Sequence, residues 1–302
     1  MSVRTFENAA ALVALALLSA PLAARAEGAG FRHEKSIYLD DKEGALRSPE
    51  GVACDDKGSF VVADTGNGRI LTYTWKDGSL RGGTPFKAPQ LPYPVRLQID
   101  SKGNVLVLDR KARRIGRVDA RNGFAGWVEP KGASSQSAVI PVAFKLDAAD
   151  SVYVLDVAGR RVLVLDARDN VTREVALPRS GAFTDVAVDA AGRIYAVDAV
   201  AAAVWAVDKG GSAFQDLTKS LKDRMNFPAS ITASRGKLYV VDQNGNGVVV
   251  LGQDGSYQGR ELSIGWTDGL LYYPAQLCMN ERGDAFVADR NNNRVQIFAT
   301  AK

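Results

Sequence analysis

The stretch Phe60-Val61-Val62-Ala63-Asp64 recurs five times along the chain. It returns as Val105-Leu106-Val107-Leu108-Asp109, Val152-Tyr153-Val154-Leu155-Asp156, Ile194-Tyr195-Ala196-Val197-Asp198, Leu238-Tyr239-Val240-Val241-Asp242 and Ala285-Phe286-Val287-Ala288-Asp289. A short apolar run bounded by polar residues reads as a buried strand. The Asp-to-Asp intervals are 45, 47, 42, 44 and 47 residues, so six copies of one supersecondary unit follow each other. Self-similarity at this period marks a repeat architecture.

Each unit contains more than its Asp. Upstream stands a Pro (Pro49, Pro94, Pro141, Pro228, Pro274), with Phe183 at that place in unit four. A short apolar strand and a tight polar turn follow, as in Asp55-Asp56-Lys57-Gly58, Asp100-Ser101-Lys102-Gly103 and Asp189-Ala190-Ala191-Gly192. Five residues after the Asp a third strand begins, opening with Arg69, Arg114, Arg161 or Arg294 in four units. A second turn, such as Lys76-Asp77-Gly78, leads to a variable fourth strand. Four antiparallel strands per 42–47 residues make the blade of a β-propeller, because a lone four-stranded sheet cannot cover its own two apolar faces and a ring of six can. The expected fold is all-β: six four-stranded blades. Unit six reaches only its third strand at Val295–Ala299, and Lys35–Leu39 read as an orphan strand. The N-terminal strand is therefore expected to complete the last blade and close the ring.

Units one and six resemble the NHL repeat family almost residue for residue. The pattern V-A-D-x-x-N-x-R-[IV] is met at Asp64, Asn67 and Arg69 and again at Asp289, Asn292 and Arg294. Units two and three keep Asp and Arg but carry Ala112 and Gly159 in place of Asn; units four and five also lack the Arg, with Ala203 and Gly247. The resemblance covers about residues 35–299 and implies fold more than function. Relatives of this kind include binding or sensor modules, RNA-binding domains with a basic upper face, amidating lyases and the similar calcium-dependent lactonase propellers. The lyases use histidine metal ligands, and this chain has one histidine, His33, outside the repeats.

Residues 1–26 read as a secretory signal peptide, followed by a single propeller domain over 27–302. Arg4 supplies the positive charge, Ala9–Ala20 form an apolar run broken by Ser19, and Ala24-Arg25-Ala26 precede a cut before Glu27. The run is shorter than the roughly 20 residues a bilayer requires, so the mature chain is expected to be exported by a Sec-type route, periplasmic or extracellular, with no transmembrane segment. With 38 Lys and Arg against 34 Asp and Glu, the charge surplus is too small to indicate a nucleic-acid partner, and a monomer is expected.

The ladder Asp residues recur six-fold, which favours a hydrogen-bonding role at strand ends over a metal site, whose ligands must converge on one point. Positions where the units differ carry more functional information. Two residues beyond the Pro the units read Gly51, Arg96, Ala143, Asp185, Ser230 and Gln276, so Arg96, Asp185, Ser230 and Gln276 are expected to form a polar ring at one mouth of the channel. The loops between second and third strands are basic in units two and three, with Arg110, Lys111, Arg113, Arg114, Arg160 and Arg161, and apolar at Val200–Val204 in unit four. A basic arc beside an apolar patch suits a protein or an anionic, amphipathic ligand. The connector Phe214–Met225 has apolar residues at 214, 217, 221 and 225, a spacing that predicts a short amphipathic helix. Cys54 and Cys278 fall on the innermost strands of units one and six, where they form either a disulfide stapling the closure or two buried thiols; a bond requires Cα atoms within about 7 Å. The functional expectation is an exported, non-enzymatic binding or assembly scaffold without a cofactor. The alternative is a metal-dependent, calcium-type hydrolase or lactonase-like enzyme with Asp185 in the channel.

Overall fold

The computed structural model describes residues 30–134 and 138–300, so the signal-peptide expectation lies outside the described residues. Strand β1 (Phe31–Ile37) precedes the repeats. Blade one is β2 (Gly51–Cys54), β3 (Ser59–Asp64), β4 (Arg69–Lys76) and β5 (Ser79–Phe86). Blade two is β6 (Pro94–Ile99), β7 (Val105–Asp109), β8 (Arg114–Val118) and β9 (Phe124–Trp127); blade three is β10 (Pro141–Leu146), β11 (Val152–Asp156), β12 (Arg161–Leu165) and β13 (Val171–Ala176). Blade four is β14 (Phe183–Val188), β15 (Ile194–Asp198), β16 (Ala203–Val207) and β17 (Gln215–Asp216). Blade five is β18 (Pro228–Ser234), β19 (Lys237–Asp242), β20 (Gly247–Gly252) and β21 (Tyr257–Glu261). Blade six takes β22 (Gln276–Met279), β23 (Asp284–Asp289) and β24 (Arg294–Thr300), with β1 as its outer strand. All pairings within the blades are antiparallel, as the repeat implies.

Local chemistry explains why the hairpins form where they do. In the first turns of blades one to four, Asp55, Asp100, Asp147 and Asp189 each accept backbone N–H groups from two and four residues ahead through one carboxylate oxygen. Such an Asx turn substitutes a side chain for a backbone acceptor and fixes the reversal. At the far end of the second strand the ladder Asp, at most 3% exposed in every blade, reaches back 16 or 17 residues. Asp64, Asp109, Asp156, Asp198, Asp242 and Asp289 accept the backbone N–H of Arg47, Tyr93, Ile140, Ala182, Asn226 and Tyr272 respectively. Each ladder carboxylate thus pins the connection arriving from the previous blade onto its own corner.

Six hydrophobic clusters fill the gaps between blades, each built from one adjacent pair. The cluster between blades six and one matters most for closure. There Phe60 stacks on Phe286 at 4.6 Å, and Val52, Val62 and Leu71 meet Ala288, Val295 and Ile297. Cys54 and Cys278 are disulfide-bonded across this same gap, with Cα atoms 5.9 Å apart, so the first of the two cysteine readings holds.

The closing strand pairs Phe31 through Ile37 with Thr300 through Val295, beginning four residues earlier than Lys35 and ending before Tyr38. Tyr38 instead places its hydroxyl on Asp268, which also accepts from Ser36 and from Arg294. The Ser36 hydroxyl, then Tyr38 and the charges of His33 and Arg294, hold the Asp268 carboxyl below the usual carboxylate range against its partial burial. A depressed carboxylate contributes stability that is complete above the unfolded value of about 3.9 and is lost as pH falls through the lower folded value. Asp268→Asn is therefore expected to flatten the fall in unfolding free energy between about pH 4 and pH 2. Parallel acid titrations of stability in the two proteins, giving equal slopes, would refute this.

The connector Phe214–Met225 is not a helix. Gln215 and Asp216 pair with Ala206 and Trp205 as the outer strand, and Leu217, Thr218 and Leu221 donate their N–H groups to Val204 and Ala202 carbonyls. Its apolar residues serve two different cores: Phe214 packs between blades three and four, Leu217, Leu221 and Met225 between four and five. One helical face cannot address both gaps.

Candidate functional site

Ladder corners and blade-to-blade connections share the upper face of the ring. At its centre lies a cavity of about 480 Å³ to which all six blades contribute. Its charged lining comprises Arg96, Arg110, Arg113 and Arg290 against one carboxylate, Glu50. Glu50 is buried and receives both guanidinium nitrogens of Arg110, while Arg290 Nε lies 3.4 Å from its Oε1. Arg110 rests against the ring of Tyr93 and Arg290 against that of Tyr273. The Arg113 side chain is exposed and engages no hydrogen bond or ion pair among the described residues. Val95, Leu108, Ile140, Val142, Phe183 and Phe227 form the apolar wall.

Arg96 closes the floor of this mouth. From β6 it donates to the Glu50 carbonyl, to Ala275 O at 3.2 Å and to Ala229 O at 3.0 Å, thereby reaching blades one, six and five across the axis. Asp185, Ser230 and Gln276 do not stand with it at the mouth, as the spacing had suggested, but are buried inside the ring. Asp185 accepts from the N–H of Val186 and of Ile231 on the next blade, and Gln276 accepts from Val52 N in the same way. They stitch neighbouring inner strands. Ser230 Oγ is buried with no hydrogen-bond partner.

The basic arc divides. Arg110 and Arg113 face the mouth, and Arg113 also borders a cavity of about 460 Å³ between blades two and three, shared with Arg114. Arg114 does not reach Asp109; it pairs with Glu129 and stacks on Trp127. Arg160 holds the carbonyls of Pro178 and Arg179. Arg161 is a correction to the expected surface site: it is buried between Asp156 and Glu174, inside its own blade. Lys111 is exposed and outside the mouth's lining. Val200, 64% exposed, is also absent from that lining, so the apolar wall comes from the inner strands and connections instead.

One backbone feature bears on Arg113 as on its counterparts Arg160 and Ala202. Four residues after each ladder Asp the chain turns left-handed, at Gly68, Arg113, Arg160, Ala202, Asn246 and Asn293, with φ from 48° to 59°. Gly and Asn tolerate that conformation, whereas a side chain with a full Cβ is strained by roughly 1–2 kcal/mol. Blade two accepts this strain and places a free cation there.

Below Arg96 a second cavity of about 160 Å³ is lined by Gln98, Lys145, Thr232, Gln276 and the disulfide. Lys145, on β10, is 8% exposed and has no hydrogen bond or ion pair among the described residues. Burial pulls its amine below the ordinary lysine value; Asp185 opposes that fall and Arg96 adds to it. Glu50, Arg290 and Lys145 were not singled out from sequence. Their signal was positional: Arg110 and Arg290 both follow a ladder Asp directly, and Lys145 stands two residues beyond Ala143, on the same side of the strand.

Among the described residues no three His, Cys, Asp or Glu side chains gather to hold a metal ion. Asp185, the carboxylate that acts on Lys145, accepts one backbone N–H on each oxygen and has no cluster of further carboxylates around it among the described residues, a poor fit for calcium. No helix among the described residues is long and apolar enough to cross a membrane.

Comparison with known proteins gives the same architecture. The NHL repeat pattern matches residues 46–73 and 271–298. No curated protein matches the chain. Among solved structures, a gluconolactonase from Xanthomonas campestris superposes with a TM-score of 0.65 at 13% identity, covering 90% of this chain and 97% of that one. Virginiamycin B lyase from Staphylococcus aureus gives 0.61 at 14%, covering 89% and 99%. A chain of a nidogen–laminin complex gives 0.59 at 15%, covering 76% and 91%. Two enzymes and a chain of a nidogen–laminin complex share the fold, so the likeness speaks for architecture alone. With two matched NHL repeats at the seam and six blades in the ring, this chain is a six-bladed β-propeller that carries NHL repeats.

Proposed function

We propose that this propeller is an exported, non-enzymatic scaffold that takes an anionic, amphipathic ligand, free or displayed by a partner protein, into its upper mouth. The observation that carries the reading is the 480 Å³ cavity, where four arginines face one carboxylate above an apolar wall. Glu50 neutralises part of that charge and leaves Arg113 unpaired among the described residues. The cations would steer and orient an anion, and Phe183, Phe227 and Ile140 would cover its apolar part. The lactonase-like alternative, which the gluconolactonase likeness brings to mind, needs a metal-holding donor set, and none gathers around Asp185 among the described residues.

Arg113→Gly separates binding from structure. The change relieves a left-handed side chain and is expected to stabilise the fold by about 1 kcal/mol. It is also expected to weaken binding of an anionic amphipathic probe, such as an anilinonaphthalene sulfonate, by about tenfold. Val200→Ser should leave that affinity unchanged. Fluorescence titration checks both variants, and undiminished affinity in Arg113→Gly would overturn the reading.

A further inference from the structure

The lower cavity presents a charge imbalance that the upper mouth does not resolve. Lys145 lines this cavity, and the charged groups that act on it are Asp185 and Arg96. Asp185 forms no ion pair with either cation among the described residues; each of its oxygens accepts one backbone N–H. A buried cation without a partner is unfavourable by several kcal/mol unless it loses its proton or gains a counter-ion.

The donor chemistry favours the counter-ion. Gln276 has its carbonyl oxygen committed to Val52 N and its amide nitrogen unpartnered among the described residues. Thr232 donates its hydroxyl proton to Leu277 O. The cavity therefore offers the Lys145 amine and a side-chain amide, with no uncommitted carboxylate to receive them. Its volume of about 160 Å³ exceeds the roughly 30 Å³ share of one water, so a small ion fits with part of its hydration. An acceptor-only ion complements such a lining.

We propose that the lower channel is an anion site, in which one small monovalent anion, of halide size, is the counter-ion of Lys145 in the cavity lined by Gln98 and Gln276. The site is separate from the upper mouth, because Arg96 lies between the two. Bound anion keeps the amine protonated and ties blade three to the opposite side of the ring without closing the mouth.

The test is thermal unfolding of the full mature chain in bromide, titrated against gluconate at constant ionic strength. Gluconate, a large and strongly hydrated carboxylate, serves as the reference anion. The native protein is expected to gain a rise in Tm of about 2–3 °C at ten times the bromide dissociation constant. Lys145→Met should show no rise and should be at least as stable as the native protein in gluconate; Lys145→Gln serves if the methionine variant does not fold. Arg113→Gly should retain the full rise, so loss of ligand binding at the mouth and loss of this site are read separately. Bromide-soaked crystals should show an anomalous peak in the lower channel. A native protein indifferent to bromide, or an equal rise in the Lys145 variants, would overturn the proposal, as would a rise abolished by Arg113→Gly alone.

Discussion

Arg294→Met is expected to destabilise the fold by about 3–5 kcal/mol, because it strands buried partners rather than merely removing a contact. The guanidinium is fully buried and makes five bonds: to Asp289 at 2.7 Å, to Tyr38 Oη, to Asp268, and to the carbonyls of Thr267 and Leu270. It joins the ladder corner of blade six to the residue that follows the closing strand. Burial alone already pushes the Asp289 carboxyl up despite that partner. Without Arg294 the carboxylate must ionise unpaired or take a proton. Arg69, partly exposed and paired with Asp64 and Asp40, is the control: Arg69→Met should lose less. In the double variant Arg294→Met with Asp289→Asn, much of the loss should return, since the unpaired charge is then gone. Urea unfolding checks all three; a loss in Arg294→Met no larger than in Arg69→Met would show that the network is not what holds the seam.

Removing the disulfide has an effect of similar size by a different route. The bond joins residues 224 apart, and cross-linking so long a loop restricts the unfolded chain strongly. Replacing Cys54 and Cys278 together by serine is expected to cost about 3–5 kcal/mol and to lower Tm by roughly 10 °C. The urea m-value should rise as well, because the unfolded chain becomes less compact without the link. That second readout distinguishes an unfolded-state effect from a packing defect at the Phe60–Phe286 contact. An unchanged Tm would mean that strand pairing and the aromatic stack close the ring unaided.

The fold was legible because its determinants are periodic. Six runs ending in Asp, the Pro at the start of the inner strand in five of the six units and the Asx turns repeat often enough to be recognised, and the orphan strand followed from a missing fourth partner. The ladder Asp residues were read as hydrogen-bonding groups, and each does pin a connection. What repeats less was read less well. Arg161 looks like its neighbour Arg160 in sequence, yet the two point to opposite fates because one opens β12 inside the blade and the other is the left-handed residue before it. Asp185, Ser230 and Gln276 share the register position of Arg96 on their inner strands, but among these four only the long arginine side chain reaches the mouth. In blade five the ladder Asp242 lacks the expected cation at Gly247 and takes Arg260 from the fourth strand, a substitution across strands that no in-strand spacing reveals. Lys145 was invisible for a related reason: its neighbours are set by ring geometry, between residues far apart in the chain.

The pairing of β1 with β24 also fixes an order in time. Phe31 is among the first described residues to be synthesised and Thr300 among the last, yet they are hydrogen-bonded partners in one sheet. Blades one to five can assemble from contiguous sequence as the chain emerges, while the sixth must wait for both ends. Until then β1 is an unpaired edge in search of a strand, and contacts of such separation form slowly. A chain interrupted before its final strand therefore carries five finished blades and an open ring, so a nascent or clipped molecule is distinguishable from a complete one by a single exposed seam.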